Sequence, residues 1–191
     1  MKNTTKNQII NAAGVTFERY GFKKTTMDDI AYAAGKGKSS LYYYFKNKED
    51  VFEAVVAYEA ELLVNEINEA INSSASAIEK LRSYVNIRMK RFVKKGNLTT
   101  ALNDNFLATF NFIEKIRNNY REFETKMISG IINEGIENQE FKPIDAEFTS
   151  EAILTCMIGF EVPLIMKAQT NDEIATKIND VIDMFLYGIC V

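Results

Sequence analysis

The sequence predicts an all-α protein of about nine helices, with a small N-terminal three-helix head of helix-turn-helix form followed by a helical-bundle body. Three observations point there. Only two prolines and nine glycines interrupt 191 residues, and Ile, Leu, Glu, Lys and Ala recur at helical spacing. Apolar residues make up 47% and charged residues 26% of the chain, enough hydrocarbon for a core and enough charge for its surface. Clusters of Gly, Thr, Asn and Asp divide the chain into segments of helical length.

The first helix is announced by Thr5-Lys6-Asn7-Gln8, which has capping-box spacing, and by Ile9, Ala13, Phe17 and Tyr20, which repeat at three and four. Gly21 suits the left-handed end of a helix, and Phe22 can fold back as the accompanying apolar contact. A second start follows at Thr25-Thr26. Asp28 and Asp29 in its first turn complement the helix dipole, and Met27, Ile30, Ala31 and Ala34 form the apolar face. Gly35 ends it. A third segment begins near Gly37-Lys38-Ser39, with Leu41 and Phe45 four apart and aimed together into a core.

Ala31, Gly35 and Leu41 carry the spacing of two helices crossing steeply through a short turn: a small residue at the close approach, a glycine for positive φ, and an apolar lock. In that arrangement the segment from Lys38 to Tyr44 is the helix whose N-terminal residues reach base edges in a major groove. Lys38, Ser39 and Ser40 are donors suited to base edges or nearby phosphates. Tyr42, Tyr43, Lys46 and Lys48 can donate to phosphate oxygens, and Thr26 at the start of the second helix is a further phosphate contact. Three consecutive tyrosines, 42 to 44, diverge by about 100° each on a helix, so at least one must face outward.

Charge follows the same division. Residues 1–50 carry nine Lys/Arg against five Asp/Glu, and residues 51–191 carry fourteen against twenty-one, so a head of net +4 stands before a body of net −7. A polyanion partner for the head alone is the expectation. Asn47-Lys48-Glu49-Asp50 then caps a fourth helix, with Val51, Phe52, Val55, Val56, Leu62 and Leu63 as its apolar positions, running on toward residue 70.

The string Thr25-Thr26-Met27-Asp28-Asp29-Ile30-Ala31, then Ala34-Gly35, then Ser40-Leu41-Tyr42-Tyr43-Tyr44-Phe45-Lys46-Asn47-Lys48-Glu49-Asp50, closely resembles the N-terminal signature of the TetR family of bacterial transcriptional regulators. The match covers about residues 5 to 56. The resemblance implies a DNA-binding head over 1–48 and a ligand-binding and dimerisation body over 49–191, made of a connecting helix and a five- or six-helix domain. It implies a homodimer that binds a palindromic operator and is released by a small-molecule inducer. It also assigns Thr26, Tyr42 and Lys48 to phosphates, Lys38, Ser39, Ser40 and Tyr43 to the groove, and Leu41 and Phe45 to the core. The sequence departs from the family pattern at Lys36 and Gly37, where an apolar residue and a serine are usual. Lys36 adds a basic side chain at the turn, suited to phosphate.

The body reads as helices near 75–95, 98–111, 113–138, 145–169 and 171–189, broken at Gly96, Pro143 and Thr170-Asn171-Asp172. Pro163 is expected to kink the fourth of these. The last two carry apolar repeats, and Ile153, Phe160, Leu164, Ile178, Ile182 and Phe185 are the expected dimer contacts across a two-fold axis. Tyr84, Met89, Phe92, Phe106, Phe110, Met127 and Met157 are the candidate lining of an effector cavity of largely apolar or aromatic character. Each also suits ordinary core. A body used only for dimerisation or protein contact, with no inducer, is the competing reading.

Enzyme chemistry finds little to stand on. The chain has no histidine, which removes every imidazole base, nucleophile or metal ligand. Its two cysteines, Cys156 and Cys190, fit neither a metal knuckle nor a disulfide scaffold. Acidic pairs such as Glu122/Glu124 look like a solvated helix face. No cofactor or metal is expected. With no apolar run long enough to span a bilayer and no signal-peptide stretch, a cytoplasmic protein without membrane contact is the expectation.

Overall fold

The computed structural model describes residues 2–93, 96–104, 107, 110–167 and 171–190. Nine helices follow one another among them: α1 (Lys2–Lys24), α2 (Met27–Ala33), α3 (Lys38–Tyr44), α4 (Lys48–Ser73), α5 (Ala77–Val93), α6 (Asn97–Asn103), α7 (Asn111–Glu137), α8 (Ala146–Lys167) and α9 (Asn171–Ile189). The chain forms two compact units. One is Met1–Leu63 with Lys95–Arg117, and the other is Val64–Lys94 with Asn118–Val191.

In the first unit α1 packs on α2 and on α6, and α2 packs on α3. Ile9, Ala13 and Phe17 of α1 bury against a core that includes Ile30, Leu41, Phe45, Val51 and Phe52. Each large apolar side chain there contributes about 1.5–3 kcal/mol through loss of apolar surface to water. Helical backbone begins at Lys2, so Thr5 lies inside α1 and cannot cap it. Tyr20, expected on the apolar face, is 51% exposed at the end of that stripe, next to the break at Gly21. Leu62 of α4 is likewise exposed.

Gly21 takes φ 76° and ψ 158°, a backbone that glycine adopts at no steric cost. The break directs Phe22 inward, where its ring meets Phe17 at 5.9 Å and Phe52 at 5.0 Å between centroids. Thr25, buried, secures the break by donating both its N–H and its hydroxyl to the Gly21 carbonyl, at 3.2 and 2.8 Å.

The first unit extends beyond the head expected over 1–48 because α6 is tied into it by polar contacts. Glu59 of α4 accepts from the Asn97 side chain at 2.6 Å and from the Leu98 N–H at 2.8 Å, capping α6, while Asn97 also donates to the Gly14 carbonyl at 3.1 Å. Asn97 is only 3% exposed, and a buried amide needs such partners. Helix α6 ends at extended Asp104, well short of the expected 111, and Arg117 donates to the Ala101 carbonyl at 3.0 Å.

In the second unit α5 packs on α8 and α9, and α8 on α9. Glu140 accepts from the N–H groups of Ala77 and Ile78, both at 3.1 Å, and so caps α5. Lys80 pairs with Glu134 and Arg82 with Asp183. Helix α8 continues through Pro163 to Lys167.

Candidate nucleic-acid interface

Helix α2 starts with a reciprocal capping box. Thr26 Oγ accepts from the Asp29 N–H at 3.2 Å, while Asp29 Oδ2 accepts from the Thr26 N–H at 2.9 Å and from its hydroxyl at 2.6 Å. These hydrogen bonds stabilise the charged carboxylate and hold Asp29 below its ordinary pKa of 3.8. The Thr26 hydroxyl is thus engaged within the head. The helix ends as a Schellman turn: Gly35, at φ 62°, donates to the Tyr32 carbonyl and Lys36 donates to the Ala31 carbonyl, at 3.0 and 2.9 Å. Two residues later α3 begins.

Leu41 is fully buried and Phe45 is 4% exposed, so α3 is pinned through the two positions that the four-residue spacing indicated. Its other faces turn to solvent. Lys38, Ser39, Tyr42 and Tyr43 are exposed, Ser40 and Tyr44 are half-buried, and the Tyr43 and Tyr44 rings meet edge-on at 4.9 Å. Of the flanking lysines, Lys46 is exposed and Lys36 half-buried. The groove and phosphate candidates of α3 and its turn therefore lie together on one short helix and its approaches.

Two basic side chains carry contacts that the sequence did not indicate. Lys38 Nζ is 2.6 Å from Asp28 Oδ2, which raises the lysine's pKa through that hydrogen bond and charge. Lys48 Nζ donates to the Phe22 carbonyl at 2.8 Å and stands 4.5 Å from the centroid of the Phe22 ring. Asn47 accepts from the Asp50 N–H at 2.7 Å, the expected cap of α4.

The candidate effector residues separate. Tyr84, Met89 and Met157 are fully buried in the second unit and Met127 is half-buried there. Phe110 belongs to the first unit, where its ring meets Phe22 at 5.6 Å. Phe106 and the Phe92 side chain lie outside the described residues. The second unit has a polar centre that sequence reasoning missed. Glu124, 3% exposed, accepts from the Tyr84 hydroxyl at 2.6 Å and from Arg88 Nε at 2.7 Å. Burial and the neighbouring carboxylate push the Tyr84 phenol well above its ordinary pKa, keeping it a neutral donor. Glu122 does face solvent, paired with Lys126, so the two acids expected on one solvated face have opposite environments. A signal existed. Arg88 falls in the apolar repeat of Leu81, Tyr84 and Val85, and Glu124 falls in that of Tyr120, Ile128 and Ile131, so opposite charges occupy two core stripes.

Among the expected dimer contacts, Ile153, Ile178 and Ile182 are buried within the subunit, Phe160 and Phe185 are half-buried, and the Leu164 side chain lies outside the described residues. Those isoleucines sit on the faces by which α8 and α9 enter their own unit. Among the described residues of α8 and α9, the large apolar side chains left exposed are Phe148 (70%), Ile158, Met184 and Tyr187 (84%).

Residues 4–55 match the family model of bacterial regulatory proteins of the tetR family, and residues 77–182 match the tetracyclin repressor-like C-terminal domain. The chain is 26% identical over 187 residues to the fatty acid metabolism regulator protein of Bacillus subtilis (strain 168), covering 95% of this chain and 94% of that one. The crystal structure of a transcriptional regulator from Cytophaga hutchinsonii ATCC 33406 superposes with a TM-score of 0.80 at 32% identity, covering 96% of this chain and 97% of that one. The fold is also that of the regulator FadR from Bacillus subtilis, solved in complex with stearoyl-CoA: TM-score 0.77, 24% identity, 95% and 98% coverage. Two family models over head and body, a whole-length structural relative and the helix-turn-helix geometry agree, and the chain belongs to the TetR family of bacterial transcriptional regulators.

Proposed function

We propose that the chain binds a palindromic operator as a homodimer, with α3 in the major groove. Lys38, Ser39, Ser40 and Tyr43 face the bases in this reading and Lys36, Tyr42, Lys46 and Lys48 approach phosphates, whereas Thr26, both of whose donors go to Asp29, holds the cap of α2 and not a phosphate. The observation that carries it is that Leu41 of α3 and Phe45 at its C-cap are buried while the adjoining positions of the helix present an exposed polar surface. A helix so pinned presents its donors rigidly. The exposed apolar side chains Phe148, Ile158, Met184 and Tyr187 supply the surface for a helical contact between two subunits. Such a dimer presents two α3 helices to successive major grooves about 34–36 Å apart.

The effector in this reading is a largely apolar molecule taken up by the body, and the chemistry of the fatty acid metabolism regulator makes a long acyl chain the first class to test. Binding the DNA-incompetent state more tightly releases the operator.

Selection from a random-sequence duplex pool at fixed, moderate salt, with sequencing of the bound fraction, tests the reading. An enriched palindrome with half-sites about one helical turn apart supports it. A long-chain acyl-CoA added to that complex should release the DNA. A pool without enrichment would refute operator binding by the free protein. Enrichment that acyl-CoA leaves untouched would refute the effector class alone.

A further inference from the structure

We propose that Asp28 is a specificity-determining residue for operator recognition: its carboxylate aims the Lys38 ammonium at a base edge and keeps it off the phosphates. The inference rests on α3 lying in the groove, as proposed above. Lys38 is the first residue of α3, and its Nζ lies 2.6 Å from Oδ2 of Asp28 in the first turn of α2. The two side chains are 64% and 59% exposed, so the pair faces solvent, as Ser39 and Tyr42 of the same helix also do. Neighbouring Asp29 is committed to Thr26. The two adjacent carboxylates thus hold different partners, one within α2 and its cap and one on α3.

An ion pair this exposed adds little to folding, because solvent screens it. Its consequence lies in what it does to Lys38. A lysine is a point charge on a flexible four-carbon stem, and beside DNA an unrestrained one goes to the nearest phosphate, which carries no sequence information. The ammonium has three donors. Asp28 takes one and leaves two. The carboxylate repels phosphate oxygens, whereas the N7 and O6 acceptors of guanine are neutral and accept a partly compensated ammonium at smaller cost. The free oxygen of Asp28 can in addition accept from a cytosine amino group. A negative charge in the middle of a DNA-facing surface therefore trades sequence-independent affinity for discrimination.

Full-length wild type, Asp28→Asn and Lys38→Met are each incubated with a random-sequence duplex pool at one salt concentration, and the bound DNA is sequenced. Each is also titrated with the unselected pool over a range of salt. Asp28→Asn is expected to bind the unselected pool more tightly, with a log–log salt slope steeper by about 0.9 for each additional phosphate that a subunit neutralises. It should also lose roughly tenfold of the wild-type preference at one symmetry-related pair of positions, the pair that Lys38→Met loses too. An unchanged motif, an unchanged slope, or a loss at positions that Lys38→Met leaves intact would overturn the proposal. A wild-type pool without any motif would instead overturn the operator reading, and the role of Asp28 with it.

Discussion

The ammonium of Lys48, in the first turn of α4, donates to the backbone carbonyl of Phe22 at 2.8 Å and lies over the ring of the same residue. It fastens the start of α4 to the chain just past the Gly21 break, where a carbonyl is left without a helical partner. Lys48→Met is expected to lower the stability of the protein by about 1–2 kcal/mol, read from denaturant unfolding. A second proton is directed at the Lys23 carbonyl at 3.5 Å and the third remains for DNA, so the salt slope of duplex binding should fall by about 1 per subunit. A stability loss with an unchanged slope would assign Lys48 to positioning alone.

Tyr42 and Ser40 should separate by the kind of loss they cause. Tyr42→Phe removes one phosphate donor and is expected to weaken binding to every duplex alike, by roughly 2- to 10-fold. Ser40→Ala should instead change which sequences are enriched. Competition between selected and random duplexes distinguishes them, and a Tyr42→Phe effect confined to one sequence would contradict its placement at the backbone.

The Thr26–Asp29 box makes head stability depend on acid. The folded-state pKa of Asp29 lies below the ordinary 3.8, so its contribution is present in full above that value and is lost as pH falls through the folded value. Thr26→Val removes the hydroxyl hydrogen bond, the larger cause of the shift, and leaves the backbone one. Its destabilisation, read by thermal unfolding at neutral pH, should shrink as the pH is taken below the usual carboxylate range. A constant difference from neutral to strongly acid pH would mean that the box is not formed in solution.

Removing one member of the buried cluster should cost far more than replacing it whole. Arg88→Met takes the guanidinium partner from the buried Glu124 carboxylate, a loss of about 3–5 kcal/mol. Arg88→Met combined with Glu124→Leu and Tyr84→Phe should recover most of it. Denaturant midpoints test this, and a triple variant as unstable as the single one would show that the cluster's geometry, not its charge balance, holds α5 to α7.

Gly135 has a steric role in the second unit. A Cβ at this position would clash with Cδ2, Cε2 and Cγ of the Phe141 ring, which is 2% exposed and cannot swing away. Gly135→Ala is expected to cost about 1–3 kcal/mol, whereas Gly130→Ala, where a Cβ meets nothing, should be neutral or slightly stabilising. Equal midpoints for the two variants would refute the close packing.

Much of the head is legible in the sequence because its signals are local. The glycines at 21 and 35 take the positive φ that their positions indicate, and Leu41 and Phe45 point inward because four residues make about one helical turn. The cap expected at Thr5 fails for a related reason: Thr-x-x-Gln spacing permits a capping box but does not show where helical backbone begins. The body is less legible. Periodicity finds the apolar faces of α8 and α9 but cannot say which apolar side chains turn inward, so Ile153, Ile178 and Ile182 are expected outward while Phe148 and Tyr187 stand exposed instead.

Hydrophobic periodicity, turn chemistry and the charge difference between the first fifty residues and the rest are properties of the chain itself, and by themselves they determined an all-helical protein with a basic helix-turn-helix head. Tertiary structure alone decided that Glu124 is buried beside Arg88 and Tyr84, that Lys38 faces Asp28, that Lys48 clasps Phe22, and that α6 belongs with α1 through Asn97 and Glu59. The physical reason is range. Helix propensity and capping act within about one turn of the chain, whereas a buried charge is tolerable only where packing brings a partner from another helix.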